Sequence, residues 1–403
     1  MVPILAPYDA IIVGARCAGA SLAMLLARHG RRVLALDRAH FPSDTVSTHF
    51  LWPRTTAALA RWGLLDALAA TGCPLIETVN MQAGSVAFRG RPEPVDGTAA
   101  MYCPRRTVLD KLLVDAAREA GAEVREGALV RDVIREGRRV VGVRGDRFEE
   151  RAAVVVGADG MTSGIAEAVG AAMSPSHPSL TCGFYAYWSG VPTDGVEFYV
   201  RAGRDILVFP THDGLTCVWV GRANEQWPAY RADIEGQYLS GLDAAVLDRV
   251  QRGRRETPFK GTHRPAQLLS RLCRRRLGAG GRCRLSPRSA DRHGDRRRLP
   301  RRRGARGGDR PRPRQRSRCG AEGYQETLRE KTAAVFEYTL MSAALKDPEP
   351  QARLNRAIAA DPDLTQRFMN VLGGSASFRT LFNARDHGDG VETVILTRSV
   401  ALT

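Results

Sequence analysis

The chain has 403 residues, 43% of them hydrophobic, which suits a two-domain protein with an ample core. Its formal net charge of +17 would suggest a nucleic-acid partner, but that charge is local. Residues 261–320 contain 21 Arg, no Lys, three Asp and no Glu, so this segment carries +18 and the rest of the chain sums to −1. Over most of its length, the composition therefore excludes a generally basic nucleic-acid-binding protein.

Cysteine usage and hydropathy exclude further classes. The eight Cys residues are scattered without C-x-x-C spacing, so neither a disulfide framework nor a metal site is expected. Residues 1–7 are too short and lack the basic start of a signal peptide, and no apolar run approaches the roughly 18 residues of a membrane span. We therefore expect a cytoplasmic protein.

The N-terminal segment predicts a dinucleotide-binding βαβ unit. Residues 11–13 form a short, fully apolar strand, and Gly14 supplies a turn that aims the N-terminal N–H groups of the next helix at a pyrophosphate. Gly19 has no side chain, which lets that helix pack closely on the strand. Asp37 ends the second strand 23 residues after Gly14, where a carboxylate can accept from ribose hydroxyls. The predicted cofactor contacts in this unit are Gly14, Ala15, Ala18, Gly19, Asp37 and Arg38.

The glycine pattern departs from G-x-G-x-x-G at its second glycine, which is Arg16 here. The backbone near the phosphates must therefore lie farther away or expose only N–H groups. Cys17 begins the helix, where a thiolate would be favoured, but we interpret it as a small packing residue in the dinucleotide turn.

Two later segments add candidate contacts. A helix begins near Arg106, whose guanidinium suits a bidentate hold on a phosphate or ribose oxygen. Residues 154–156 are predicted to be a buried parallel strand, followed by a turn that faces Asp159 and Gly160 towards the cofactor crevice. The alternatives are that Arg106 is an ordinary surface cation and that Asp159 only forms the turn.

Taken together, the GARCAG turn, the R-x-x-L-D helix beginning with Arg106 and the GADG turn resemble one enzyme group. The chain resembles the FAD-dependent monooxygenases related to para-hydroxybenzoate hydroxylase, and the geranylgeranyl reductase-like oxidoreductases, over about residues 8–260. The resemblance implies an α/β fold, with a Rossmann-type, glutathione reductase-like FAD-binding domain and an antiparallel-sheet substrate domain. It also implies that the loop at residues 41–49 approaches the flavin ring. His49 in this loop is either a base or hydrogen-bond donor, or simply solvated.

From residue 171 to 260 the pattern changes to successive strands rich in β-branched and aromatic residues. This predicts an antiparallel sheet, which by resemblance covers the flavin and holds the substrate, although most of its aromatic residues are expected to be core. The expected domains are residues 1–74, 98–170 and about 321–345 for FAD binding, 75–97 and 171–260 for the substrate, and 346–403 as a C-terminal helical region.

The Arg-rich segment at residues 261–320 has three interpretations. It is a disordered arm that binds nucleic acid or an acidic membrane, a solvated linker, or a stretch translated out of frame. The absence of aromatic residues and of a basic fold motif disfavours the first, and its position where an open α/β enzyme needs a closing strand and helix disfavours the second.

We favour the out-of-frame interpretation, which makes the segment an anomalous, disordered insertion. In the +1 frame, the codons for residues 277–284 admit the string WALVGDAG, which resembles the third flavin motif of the family. The protein sequence does not fix the third base of these codons, so the +1 frame permits this string without requiring it. A helical pattern resumes at residue 323. The chain as written would then lack one of three flavin motifs.

These features predict an FAD-dependent oxidoreductase. By resemblance it uses NAD(P)H and O₂ to hydroxylate an aromatic or polyketide-like small molecule, with no specific nucleic-acid partner. One alternative is an FAD-dependent reductase of an isoprenoid double bond. The other is a flavin-defective protein with an Arg-rich nucleic-acid-binding arm. The sequence assigns no catalytic residue, substrate or oligomeric state.

Overall fold

A computed structural model describes residues 8–47, 50–137, 139–171, 179–263, 345 and 349–376 of the chain. Several predictions lie outside these residues: the absence of a leader at residues 1–7, the role of His49, and almost all of the Arg-rich segment. The predicted FAD-domain piece at residues 321–345 also lies outside them, apart from Leu345, as does the end of the C-terminal region after residue 376.

Helices and strands alternate in the first half of the described chain, and strands dominate the next part. The helices are α1 (Cys17–Arg28), α2 (Pro53–Arg61), α3 (Leu65–Ala69), α4 (Arg106–Glu119), α5 (Gly164–Ala168), α6 (Trp227–Ala232), α7 (Ile234–Ser240), α8 (Ala244–Arg252), α9 (Glu349–Ala360) and α10 (Pro362–Gly373). The strands are β1 (Tyr8–Val13), β2 (Val33–Leu36), β3 (Val79–Ala83), β4 (Val86–Gly90), β5 (Glu123–Arg125), β6 (Val130–Glu136), β7 (Arg139–Gly145), β8 (Glu149–Gly157), β9 (Thr181–Ser189), β10 (Val196–Arg201), β11 (Arg204–Pro210), β12 (Thr216–Ala223), β13 (Arg254–Arg255) and β14 (Lys260–Thr262).

The first sheet has the order β5-β2-β1-β8-β7-β6, and β5, β2, β1 and β8 run parallel. Side chains of β1 alternate between two cores because successive residues of a strand point to opposite faces. Ile12 packs with α1 and α4, whereas Ile11 and Val13 pack against the antiparallel hairpin β6–β7, through Val133 and Val143. The predicted Rossmann-type α/β fold is confirmed, with helices on one face and a meander on the other.

Strand β8 belongs to both parts of this sheet. Residues 149–151 pair with β7, whereas residues 152–157 pair with β1. Within the described ranges no strand pairs with the other edge of residues 152–157, and Val154 is 43% exposed. The parallel pairing predicted for residues 154–156 is therefore correct, but the prediction that this strand is buried is wrong for Val154.

The second sheet has the order β13-β9-β12-β11-β10-β3-β4, and β14 also pairs with β9. Its pairs are antiparallel, as the strand pattern indicated, except for β3 with β10. The hairpin β3–β4 lies in the sequence between two elements of the first domain, far from β10. In the sheet, β3 pairs with β10 in the parallel direction.

The second sheet has a covered back face and a front face with a different core. Helices α6, α7 and α8 cover the back, where Tyr230, Tyr238 and Val246 are fully buried. Helices α9 and α10 pack near β4, and the rings of Phe368 and Phe88 meet edge to face at 5.7 Å. No helix of the described ranges has the length and apolar character needed to cross a bilayer.

Candidate functional site

The two glycine turns meet at the carboxyl ends of β1 and β8. Gly14 has φ +96°, and a Cβ there would lie 2.3 Å from the carbonyl oxygen of Ala158. A Cβ on Gly19 would lie 1.7 Å from the carbonyl oxygen of Gly14, so only glycine allows α1 to approach the turn this closely. The Ala158 N–H donates to the Val13 carbonyl at 2.7 Å and fixes the two turns together.

The N-terminus of α1 is open to an anion. Arg16 is its N-cap residue, and in the described structure no side chain caps this helix end and no acidic residue occupies its first turn. Ala18 in that turn is exposed. Because the first N–H groups of a helix have no partner within the helix, they are available to bind a phosphate here.

Asp37 follows β2 directly and is 7% exposed. Its Oδ2 accepts from the Ala15 N–H at 2.7 Å, and its Oδ1 accepts from the Ala39 N–H at 2.8 Å. Each carboxylate oxygen can accept a second hydrogen bond, so both can still receive a ribose hydroxyl. Arg38 is exposed beside it. Asp37 thus lies next to the turn that Gly14 opens.

Arg106 binds a carboxylate of its own helix. It donates to both oxygens of Asp110, from Nη2 at 2.9 and 3.0 Å and from Nε at 3.0 Å. Asp110 is fully buried and also accepts from Arg16 Nη1 at 2.6 Å and from the Cys17 thiol at 3.2 Å. Sequence reasoning missed Asp110 as the centre of this cluster, although its i,i+4 spacing from Arg106 is a signal for an ion pair.

The thiol of Cys17 stays protonated, because burial raises its pKa to about 12 despite the nearby Arg106. This supports the interpretation of Cys17 as a packing residue. Asp159 accepts from Ser163 Oγ at 2.5 Å and from the Ile165 N–H at 3.1 Å, and so caps the start of α5. Gly160 is exposed with φ +90°. Each oxygen of Asp159 thus accepts one hydrogen bond within the turn, and its predicted contact with the cofactor stays a prediction.

The described residues fit the adenosine and diphosphate half of a dinucleotide. Gly14 and Gly19 allow α1 to pack closely on the turn, and the open end of α1 offers N–H donors to the phosphates. The oxygens of Asp37 can each accept a further hydrogen bond. The cofactor contacts predicted for Gly14, Ala18, Gly19 and Asp37 are compatible with this geometry and stay predictions.

The front face of the second sheet carries an apolar cavity of about 270 Å³. The rings of Trp52 and Phe198, which both line it, stack with each other, with centroids 6.3 Å apart and 10° between their planes, and Phe50 meets Trp52 edge to face at 4.3 Å. The lining residues are Phe50, Trp52, Val196, Phe198, Leu207 and Phe209.

Towards β9 the same face becomes polar. Tyr185 and Tyr187 lie on β9 with rings 5.7 Å apart, and the guanidinium of Arg105 stacks 4.8 Å above the Tyr187 ring. Burial raises the pKa of both hydroxyls, so both remain protonated. Lys260, opposite Tyr185, forms an ion pair with Asp44 of the loop that follows β2.

His212 was not identified from the sequence, because a lone histidine in a loop carries no signal. It is 3% exposed, and its Nδ1 lies 3.3 Å from the Arg105 N–H. Nδ1 therefore accepts, which places the ring proton on Nε2, where it can donate to Thr71 Oγ1 at 2.9 Å. Burial lowers the pKa of His212, so the neutral ring joins the two domains.

Asp205 is a second group that the sequence did not reveal. It lies on β11 opposite Gly221, and a Cβ on Gly221 would be 1.8 Å from its Oδ1. Burial raises the pKa of Asp205 to about 6, and the Trp219 indole, which hydrogen-bonds to this carboxyl, offsets that only in part. Oδ1 is buried without a hydrogen-bond partner among the described residues.

Two curated relatives are similar to part of the chain. Digeranylgeranylglycerophospholipid reductase 2 of Methanopyrus kandleri is 32% identical over 258 residues, which cover 60% of this chain and 63% of that protein. The FAD-dependent monooxygenase OpS4 of Beauveria bassiana is 28% identical over 262 residues, covering 57% and 61%. The chain thus spans less than two thirds of the length of these relatives.

Solved structures show the same fold. The myxobacterial chondrochloren halogenase CndH, described as a variant of FAD-dependent halogenases, matches with a TM-score of 0.56 at 24% identity over 63% of each chain. At this identity the likeness establishes the fold alone. The model of the FAD binding domain matches residues 7–227, more than half of this sequence. The chain therefore belongs to the FAD binding domain family.

Proposed function

We propose that this chain is an NAD(P)H-dependent flavin monooxygenase that hydroxylates an aromatic or polyketide-like small molecule. The observation that carries the proposal is the front face of the second sheet. Its apolar cavity is lined by the aromatic rings of Phe50, Trp52 and Phe198, among others, which suits a flat apolar ring.

The residues of this face have roles in binding. FAD, when bound, supplies the redox chemistry. Phe50, Trp52 and Phe198 would surround the substrate ring and exclude water from it. Tyr185 and Tyr187 on the same face stay protonated and hydrogen-bond each other, so they add uncharged polar groups beside the apolar cavity. This arrangement orients the substrate without assigning a catalytic residue.

A second candidate is an FAD-dependent reductase of an isoprenoid double bond. The likeness to a digeranylgeranylglycerophospholipid reductase supports it, as does the purely apolar lining of the cavity. The two functions differ in their products. A monooxygenase adds one oxygen atom derived from O₂, whereas a reductase adds two hydrogen atoms and works without O₂.

We also propose that the codons for residues 261–320 are read out of frame. The exposed Val154 on β8, and the edge of residues 152–157 that no described strand pairs with, support this. Such an apolar edge inside a parallel sheet calls for another strand, and WALVGDAG in the +1 frame contains an apolar run followed by an aspartate. Restoring the frame is therefore part of testing the activity.

The alternative of a nucleic-acid-binding arm makes an opposite prediction. If residues 261–320 bind single-stranded RNA, affinity should fall steeply with salt, and deleting the segment should abolish binding while the remainder stays folded. We expect no specific, saturable binding. Saturable RNA binding by the full chain, lost in a folded deletion variant, would favour the binding-protein function.

The experiment compares the chain as written with a chain whose +1 frame is restored between the codons for residues 262 and 321. We expect the restored protein to purify yellow with FAD, to oxidise NAD(P)H, and to incorporate ¹⁸O from ¹⁸O₂ into a phenol from a test panel. Phe198→Trp, which fills the cavity, should lose substrate-stimulated oxidation but keep its flavin. Leu75→Trp at a 52% exposed position is the matched control. A folded but colourless restored protein would contradict the proposed function.

A further inference from the structure

Arg16 occupies the second glycine position of the dinucleotide turn, and its side chain reaches two other elements. Nη1 donates to Asp110 on α4 at 2.6 Å and to the Ser43 carbonyl at 3.2 Å, and Nη2 donates to Ser43 Oγ at 2.8 Å. The guanidinium also lies 5.4 Å from the centre of the Phe41 ring. Arg16 therefore joins the start of α1 to α4 and to the loop that follows β2.

The cluster around Asp110 has more positive than negative charge. Arg16 and Arg106 share this one buried carboxylate, and within the described chain neither guanidinium has another carboxylate partner. The Cys17 thiol adds no negative charge, since it stays protonated. The side chains of Arg16 and Arg106 are 26% and 13% exposed, so the surplus charge is only partly solvated. A partly buried surplus charge is costly unless an anion neutralises it.

The surplus charge lies where the phosphates of a dinucleotide belong. Arg16 is the N-cap of α1, so its cluster adjoins the open N–H groups of that helix, which carry about half a positive charge. Asp37 accepts from the N–H groups of Ala15 and Ala39, so the residue before Arg16 holds a carboxylate suited to ribose. The same turn thus carries a carboxylate for ribose and a cationic cluster for phosphate.

We propose that Arg16 is a diphosphate-binding residue of the FAD site, with its side-chain charge replacing the close backbone approach that a glycine permits. The inference rests on the FAD site of the proposed function and names a residue that the glycine fingerprint does not include. With Arg106 it gives two guanidinium groups on one buried carboxylate, which holds both in place. The second role of Arg16 is to fix the loop at Ser43 beside the cofactor.

The test is calorimetric titration of the full chain with ADP, AMP and FAD at low and moderate salt. We expect Arg16→Met, which keeps the stem on Phe41 but removes the charge, to weaken ADP binding by about tenfold or more and AMP binding much less. The salt dependence of ADP binding should also become shallower. Arg16→Lys, which keeps the charge, should restore part of the preference for ADP over AMP. Arg28→Met, at the far end of α1, is the matched control.

The outcomes separate the inference from the proposed function. If Arg16→Met binds ADP with an unchanged ADP-to-AMP ratio and an unchanged salt dependence, Arg16 is not a diphosphate residue, although the FAD site stands. If neither the chain as written nor the frame-restored chain binds ADP or FAD, the FAD site and the inference both fail. Should Arg16→Met not fold, Arg16→Lys decides. A loss of ADP and AMP affinity in equal proportion by folded Arg16→Lys would indicate a structural role only.

Discussion

Replacing Asp205 by asparagine should make the protein more stable at neutral pH. Burial raises the pKa of Asp205 from 3.8 to about 6, because the front face of the second sheet disfavours its charged form. A difference of about two pKa units corresponds to about 3 kcal/mol. Since the folded-state pKa is the higher one, Asp205 imposes no penalty below about pH 4. The penalty grows as the pH rises to 6 and is complete above it.

Asparagine cannot ionise, so Asp205→Asn should gain up to about 3 kcal/mol over wild type at pH 8 and almost nothing at pH 4. The assay is urea unfolding at the two pH values, followed by tryptophan fluorescence, with the Trp219 indole beside the titrating group as reporter. The control is Asp194→Asn, because the Asp194 side chain is 79% exposed. It should change stability by less than about 0.5 kcal/mol at either pH.

The pH dependence of the stability gain distinguishes ionisation of Asp205 from better packing of asparagine. An equal gain at pH 4 and pH 8 would mean that asparagine packs better and that ionisation of Asp205 is irrelevant. A loss of stability at pH 8 would show that the charged carboxylate is stabilised in the fold, by a partner that compensates for burial. Either result would refute the assignment of Asp205 as a buried acid whose ionisation opposes folding.

Two further substitutions test the site, and resequencing tests the reading frame. Gly19→Ala places a Cβ 1.7 Å from the Gly14 carbonyl oxygen. Thermal unfolding should therefore show a loss of stability of about 1–3 kcal/mol, and ADP should bind more weakly. Gly164→Ala is the control, because the nearest atom lies 3.9 Å from the added Cβ, and it should change neither property. Asp37→Ala should weaken FAD binding by about ten- to a hundredfold, because a charge-assisted hydrogen bond is lost, and equal calorimetric titrations of the two proteins would exclude that role. Resequencing the codons for residues 262–321 should reveal a pair of compensating indels with WALVGDAG readable in the +1 frame, and any other string there would end that explanation.

The sequence allowed the cofactor cradle to be predicted because its signals are local. Gly14, Gly19 and Asp37 lie within one strand–helix–strand unit, and the structure brings them to one crevice. Arg106 was predicted to face the cofactor, but its nearest partner is Asp110, one helical turn away. Whether the carboxylate of Asp159 bonds the start of α5 or the cofactor depends on the path of the following chain, which the glycine turn alone does not reveal.

Long-range features could not be predicted. Arg16 meets Asp110 across 94 residues of sequence, and this contact exists only because α1 and α4 pack side by side. The burial of Asp205 depends on Gly221 on the neighbouring strand, whose missing side chain leaves room for the carboxyl. Pairing of β3 with β10 likewise depends on register across more than 100 residues. Each of these contacts is set by tertiary packing, for which a single sequence carries little signal.

The division of β8 between two partners has a consequence for how the first domain opens. Residues 149–151 hold β7, and residues 152–157 hold β1 and end at the cofactor turn. A single strand therefore links the solvent-exposed meander to the crevice, and neither can detach without disturbing the other. In hydrogen exchange, the amides of β7 should share the protection of those of β1, and a nucleotide bound at the turn should slow both together.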